Sequence, residues 1–144
     1  INAYKRYAVA SWAPVNIVWA HDNRTCGFRI VGSGSALRIE NRLPGGDANI
    51  YLAYAAVLAA GLNGIERKIE PPAEHLGNGY TATGCERMPR AMYEAIAALE
   101  QGSLARSAFG DVVVDHYLNY ARSEQAAFDL AVSDWERRRY FERG

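Results

Sequence analysis

The chain has 144 residues, 49 % of them hydrophobic, enough for one domain with a core of its own. Sixteen basic and 16 acidic side chains leave no net charge, which excludes nucleic-acid binding through a broad basic surface, because counterion release needs an excess of cations. Two cysteines, Cys26 and Cys85, are too few for a disulfide scaffold and form no Cys-x-x-Cys pair, so reduced thiols and a cytoplasmic location are expected.

Residues 1–14 are polar and aromatic without clear period, and Ile1–Ala10 has no apolar stretch of the kind a signal peptide needs. The chain opens on Ile1 rather than a methionine and reads as a piece of a longer protein. Val15–Ala20 and Gly27–Val31 are short strand candidates, rich in branched and aromatic residues. Cys26 stands beside this second run, where a buried, inert thiol outweighs a reactive one. Gly32-Ser33-Gly34-Ser35 is a turn, and Ala36–Leu43 is a third strand, ended by Pro44-Gly45-Gly46. Asp47 is the expected N-cap of a helix over 48–68, which is apolar on nearly every side and is therefore expected to be buried. Its apolar run is shorter than the roughly 20 residues a bilayer requires, so no membrane span is expected.

Pro71-Pro72 breaks the chain, and a Gly/Asn/Thr-rich loop follows to about Glu86. Helices are expected over 89–101, over 104–109 with Gly110 as a stop, and over 111–143 as one long element. A rough stripe of Tyr117, Tyr120, Ala121, Phe128, Val132 and Trp135 marks the last of these. The order, a few antiparallel strands and then mainly helices, predicts an α+β fold.

Chemistry concentrates in the third strand. With period two, Arg38, Glu40 and Arg42 share one face, while Leu37, Ile39 and Leu43 take the other. A carboxylate between guanidinium groups can hold a divalent metal while its neighbours hold anions. The plainer alternative is an ion-pair ladder on a solvated strand. His21-Asp22 looks like a catalytic pair, but adjacent strand residues point opposite ways, which favours a structural role.

These residues, taken together, resemble the glutamine synthetase family. The resemblance is carried by Asn2-Ala3-Tyr4-Lys5-Arg6, Ala13-Pro14, Asn23-Arg24-Thr25, Arg29-Ile30, Arg38-Ile39-Glu40-Asn41-Arg42-Leu43-Pro44, Asp47-Ala48-Asn49 and Tyr51-Leu52. It continues through Gly61-Leu62-Asn63-Gly64-Ile65 to Trp135-Glu136-Arg137-Arg138-Arg139-Tyr140. Residues 1–144 thus resemble the C-terminal portion of the family's catalytic domain, with its N-terminal domain and upstream catalytic strands outside the chain.

The resemblance implies an ATP-dependent ligase that forms γ-glutamyl phosphate and then an amide with ammonia or a primary amine. It implies Mg2+ or Mn2+ as cofactor, ATP and glutamate as substrates, and a homo-oligomer of stacked rings for the intact protein. Arg6 would grip glutamate, and Arg42 would bind a substrate carboxylate. Arg24 would contact the ATP phosphates and the phosphoryl group in transfer, Arg29 would bind ATP phosphate, and Glu40 would ligate the metal. Arg38 has an ATP role or a salt bridge as equal alternatives. The family's other metal ligands lie upstream, so the 144 residues alone are expected to be inactive.

One departure bears on the substrate. Ammonia-using members carry a glutamate directly before the Ala-Pro pair, where this chain has Trp12. An indole accepts no proton, but it can line a pocket for a larger amine. The resemblance therefore points toward the γ-glutamyl-amine ligases of the family, with Trp12 as an amine-pocket wall or else a packing residue. A non-catalytic relative that only binds nucleotide or assembles with partners is the alternative in another class.

Overall fold

The computed structural model describes residues 1–143, which divide into two compact units: Asn2–Ala91, and the residues from Met92 onward together with Ile1. The first unit opens with a 3-10 turn, Asn2–Arg6, and holds a three-stranded sheet in the order β1 (Trp19–His21), β2 (Phe28–Val31), β3 (Arg38–Asn41). Strands β2 and β3 are antiparallel, as expected, with Arg29 opposite Glu40 and Ile30 opposite Ile39. Strand β1 departs from that expectation and runs parallel to β2, with Trp19 beside Phe28 and His21 beside Ile30. Parallel neighbours usually need a long crossover. Here β1 is only three residues long, about 10 Å, so residues 22–27 are enough to bring the chain back to its start.

The sheet separates two chemistries. Phe28, Ile30 and Ile39 face an apolar cavity of about 420 Å3, shared with Trp19 and Pro71-Pro72. Arg29 and Glu40 occupy the opposite face, as period-two alternation requires. The core of this unit includes the buried residues Ala13, Val15, Ala20 and Cys26. Burial pushes the Cys26 thiol above its ordinary value, which agrees with the inert reading.

Loop residues tie this unit together. Asn23 accepts the Thr25 N–H and donates to the Gly77 carbonyl at 2.7 Å, and the Thr25 hydroxyl accepts the Gly79 N–H at 2.7 Å. Buried Asn16 donates to the Gly79 carbonyl at 2.8 Å. A Cβ on Gly79 would stand 2.6 Å from the Thr25 carbonyl oxygen, closer than any real contact. Gly79→Ala is expected to destabilise the chain by about 2 kcal/mol, as overpacking does. Gly46→Ala, which meets nothing within 4 Å, is the control. Urea unfolding midpoints check the pair, and equal midpoints would contradict the clamp.

Helix α1 spans Ile50–Glu66. Its N-cap is Asn49, whose side chain accepts the Tyr51 and Leu52 N–H groups, and not the expected Asp47. A turn closed by the Ala48 N–H on the Gly45 carbonyl delays the helix by two residues. The expected burial is also absent: α1 has no buried residue, and Tyr51, Tyr54, Leu58, Leu62 and Ile65 are exposed. All-round apolarity needs surrounding elements to cover it, and no described helix or strand packs broadly on α1.

In the second unit α2 (Met92–Gln101) and α3 (Ser103–Phe109) pack on α4 (Asp111–Leu130), whose Val114 and Leu118 are buried. Helix α2 begins later than the expected Pro89, because the Met88 N–H is bound to the Val15 carbonyl in extended pairing. The single helix expected over 111–143 is two. Ala131 is extended and Ser133 starts α5 (Asp134–Tyr140) with a capping box to Glu136. The Ser-x-x-Glu spacing was the available signal. The expected aromatic stripe is mostly exposed, because α4 turns its aliphatic Val114 and Leu118 inward instead. Among the described residues no helix is long and apolar enough to cross a membrane.

Candidate active site

The site is built from four positions, two of them a cross-strand pair. Arg29 and Glu40 are direct cross-strand partners, so their side chains leave the sheet on one face. Arg42 follows two residues after Glu40 and rises beside it. Arg24 joins them from the loop between β1 and β2, presented outward because its neighbours Asn23 and Thr25 are both tied down to residues 77–79. With Trp12 these four line one cavity of about 310 Å3.

The charges within it are interlocked. Arg29 Nη1 donates to Glu40 Oε2 and Arg42 Nη1 donates to Glu40 Oε1, each at 2.9 Å. The Arg29 hydrogen bond, with help from Arg42, holds the Glu40 carboxyl below its ordinary value against the opposing effect of partial burial. Arg29 also pairs through Nη2 with Asp22, whose bond and that of Glu40 push the guanidinium further up. The arginine side chains are only 14 % and 17 % exposed, whereas that of Glu40 is 37 % exposed. Arg29 Nε and Arg42 Nε are buried with no hydrogen-bond partner among the described residues. Buried donors without an acceptor are uncommon and costly, so the other hydrogen bonds of the two guanidinium groups must hold them in place. Arg24 makes no ion pair among the described residues, which leaves its five donors for a ligand.

Two expected site residues are not brought to this cavity. Arg6 donates to the Leu43 carbonyl at 2.7 Å and to the Arg42 carbonyl at 3.4 Å, with its guanidinium 5.0 Å from the Tyr7 ring. It supports the main chain that carries Arg42. Arg38 shares a strand face with Glu40, yet its Nη1 turns back to the Ala36 carbonyl at 3.2 Å and the residue is exposed. Asp22 was not expected as a member of the cluster. Its meeting with Arg29 depends on the parallel register of β1, for which the sequence carries no local signal.

The residues fit a divalent metal only in part. Glu40 is an ionised carboxylate with lone pairs left on both oxygens. Among the described residues no group of three or more His, Cys, Asp and Glu could hold an ion. Glu40 could thus supply one ligand to a divalent ion, and a full set of protein ligands is not found among the described residues.

Comparison with known proteins gives a consistent answer. Residues 1–140 match the family described as glutamine synthetase, catalytic domain. The chain is 55 % identical over 143 residues to a gamma-glutamylethanolamide synthetase, GlnA4, of Streptomyces coelicolor, covering 99 % of this chain and 31 % of that protein. It is 42 % identical to a glutamate–isopropylamine ligase of a Pseudomonas species, covering 99 % of this chain and 32 % of the relative. A structure of a protein called GmaS in complex with ADP superposes with a TM-score of 0.81 at 34 % identity, covering 91 % of this chain and 30 % of that one. The chain thus spans about a third of the length of the relatives it matches.

Proposed function

This chain belongs to the glutamine synthetase family, and from that premise we propose that the intact protein is an ATP- and divalent-metal-dependent ligase joining the γ-carboxylate of glutamate to a primary amine. The observation that carries the proposal is the convergence of Arg24, Arg29 and Arg42 around Glu40 on one cavity that Trp12 also lines. The names of two relatives, an ethanolamide synthetase and an isopropylamine ligase, support the choice of an amine over ammonia. The likeness to an ADP-bound structure supports a nucleotide site.

In this reading Arg24 and Arg29 bind the ATP phosphates and stabilise the phosphoryl group as it moves to the glutamate γ-carboxylate. Phosphoryl transfer asks little covalent help of a protein and much positioning and charge stabilisation, which fixed guanidinium groups provide. Asp22 and Glu40 hold Arg29 in place beforehand, so little reorganisation is left for the moment of reaction. Arg42 binds a substrate carboxylate, and Arg6 holds its main chain. A metal bound through Glu40 supplies neutralisation of charge on the phosphate oxygens. The ammonium form first gives up one proton to solvent, the free amine nitrogen attacks the acyl carbon, phosphate leaves with the electron pair of the broken C–O bond, and the nitrogen loses a second proton to give the amide. Trp12 screens this step from water and offers its ring face to the ammonium form of the arriving amine.

The test is phosphate release by the intact protein with ATP and glutamate, screened against ammonia and a panel of primary amines. Small alkyl- and hydroxyalkylamines are expected to support turnover at least about tenfold better than ammonia. Efficient turnover of ammonia with the amines inert would overturn the amine reading. Nucleotide binding without turnover of any nitrogen donor would favour a non-catalytic relative.

A further inference from the structure

The loop that carries Trp12 is held in an unusual way. Ser11 stands between two residues with left-handed backbone, Ala10 at φ 65° and Trp12 at φ 62°. Side chains with a Cβ avoid this region, so two such residues in a span of three persist only where the surroundings impose them. One hydroxyl bridges the main chain on both sides of them. Ser11 Oγ lies 2.7 Å from the Arg6 carbonyl oxygen and 2.6 Å from that of Ala8, the two acceptors available to its single proton. The same oxygen accepts the Ala13 N–H at 3.2 Å. Ser11 thereby joins both ends of the loop, while its own N–H returns to the Ala8 carbonyl at 3.1 Å.

The geometry matters because the indole has little else to hold it. Trp12 is 65 % exposed, so no close-packed core decides where the ring goes. An exposed side chain takes the directions its backbone dihedrals allow. The Trp12 carbonyl accepts Arg42 Nη2 at 2.7 Å, which joins the loop to the arginine cluster from the other side. If Trp12 relaxed to an extended backbone, the carbonyl would turn away from Arg42 and the residue would lose its place beside the cavity.

We infer that Ser11 is a positioning residue, whose hydroxyl locks the loop over 8–13 in the left-handed geometry that keeps the Trp12 indole on the cavity and thereby sets the affinity for the amine. The inference rests on the ligase reading above for its consequence, but its structural half stands separately.

Ser11→Ala and Ser11→Thr in the intact protein test it. Ser11→Ala is expected to raise the KM for the amine about fivefold, the effect of one lost net hydrogen bond, with the KM values for ATP and glutamate changed by less than about twofold. Ser11→Thr, which keeps the hydroxyl at an exposed site, is expected to restore the amine KM. Hydrogen exchange at the Ala13 amide is expected to speed up by about tenfold in Ser11→Ala and not in Ser11→Thr. A KM rise shared equally by all three substrates, or no rise, would overturn the inference, as would unchanged exchange at Ala13. If the wild-type protein transferred no amine, the ligase reading would fall, and the exchange measurement would still decide whether Ser11 holds the loop.

Discussion

Glu40→Gln is expected to lower turnover of the intact protein by two to three orders of magnitude, roughly the several kcal/mol that a correctly held metal contributes to charge stabilisation. The substitution keeps the shape of the side chain and removes its charge. Two things are lost together. The metal loses an anionic ligand, and Arg29 and Arg42 lose the carboxylate that each meets at 2.9 Å. Raising the metal concentration separates them, since partial rescue is expected only if Glu40 ligates the ion. Activity within about twofold of wild type would remove Glu40 from the mechanism. The same variant reads out a pH effect. The folded Glu40 carboxyl titrates below its ordinary 4.5, so the stability from its ion pairs is fully present above that value. It is lost as pH falls through the lower folded value. The urea midpoint of wild type is therefore expected to exceed that of Glu40→Gln near neutrality, and the two should converge as pH falls through the lowered folded value. A gap that persists at low pH would show that the carboxylate charge is not its source.

Trp12→Glu is expected to shift preference from amine toward ammonia, in two measurable parts. Losing the ring face should weaken binding of the amine's ammonium form by about three- to thirtyfold, the range for a cation–π contact of partly desolvated groups. A carboxylate at this position can take a proton from the incoming nitrogen, which an indole cannot. Even a poorly aligned general base should raise the rate with ammonia by about tenfold. Trp12→Ala separates the parts, losing the amine without gaining ammonia. The ratio of kcat/KM values for amine and ammonia is the measurement. A ratio unchanged in both variants would make Trp12 a packing residue and nothing more. The nearby guanidinium groups of Arg24 and Arg42 set a bound on the gain, because they compete for the new carboxylate.

Much of the site was legible because it depends on local period. Alternation along 36–43 placed Glu40 and Arg42 together and set Ile39 on the apolar side, as the structure has them. The Pro-Gly-Gly stop after the strand, the stop at Gly110 and the buried Cys26 needed only short-range chemistry. The α4–α5 break was written in Ser133 and Glu136 but was masked by a long run of helix-forming residues on both sides.

What the sequence by itself determined is the set of side chains and the face each one takes, since strand alternation and capping act within a few residues. What only the tertiary structure decided is which of them meet. The parallel register of β1 brought Asp22 to Arg29, and the segment after β3 drew Arg6 onto the carbonyls of Leu43 and Arg42. Arginine reaches far and binds carbonyls as readily as carboxylates, so five arginine candidates, Arg6, Arg24, Arg29, Arg38 and Arg42, cannot be sorted by spacing alone. The exposure of α1 has the same origin: apolarity states that a surface needs a partner, and only three-dimensional neighbours determine whether one is there.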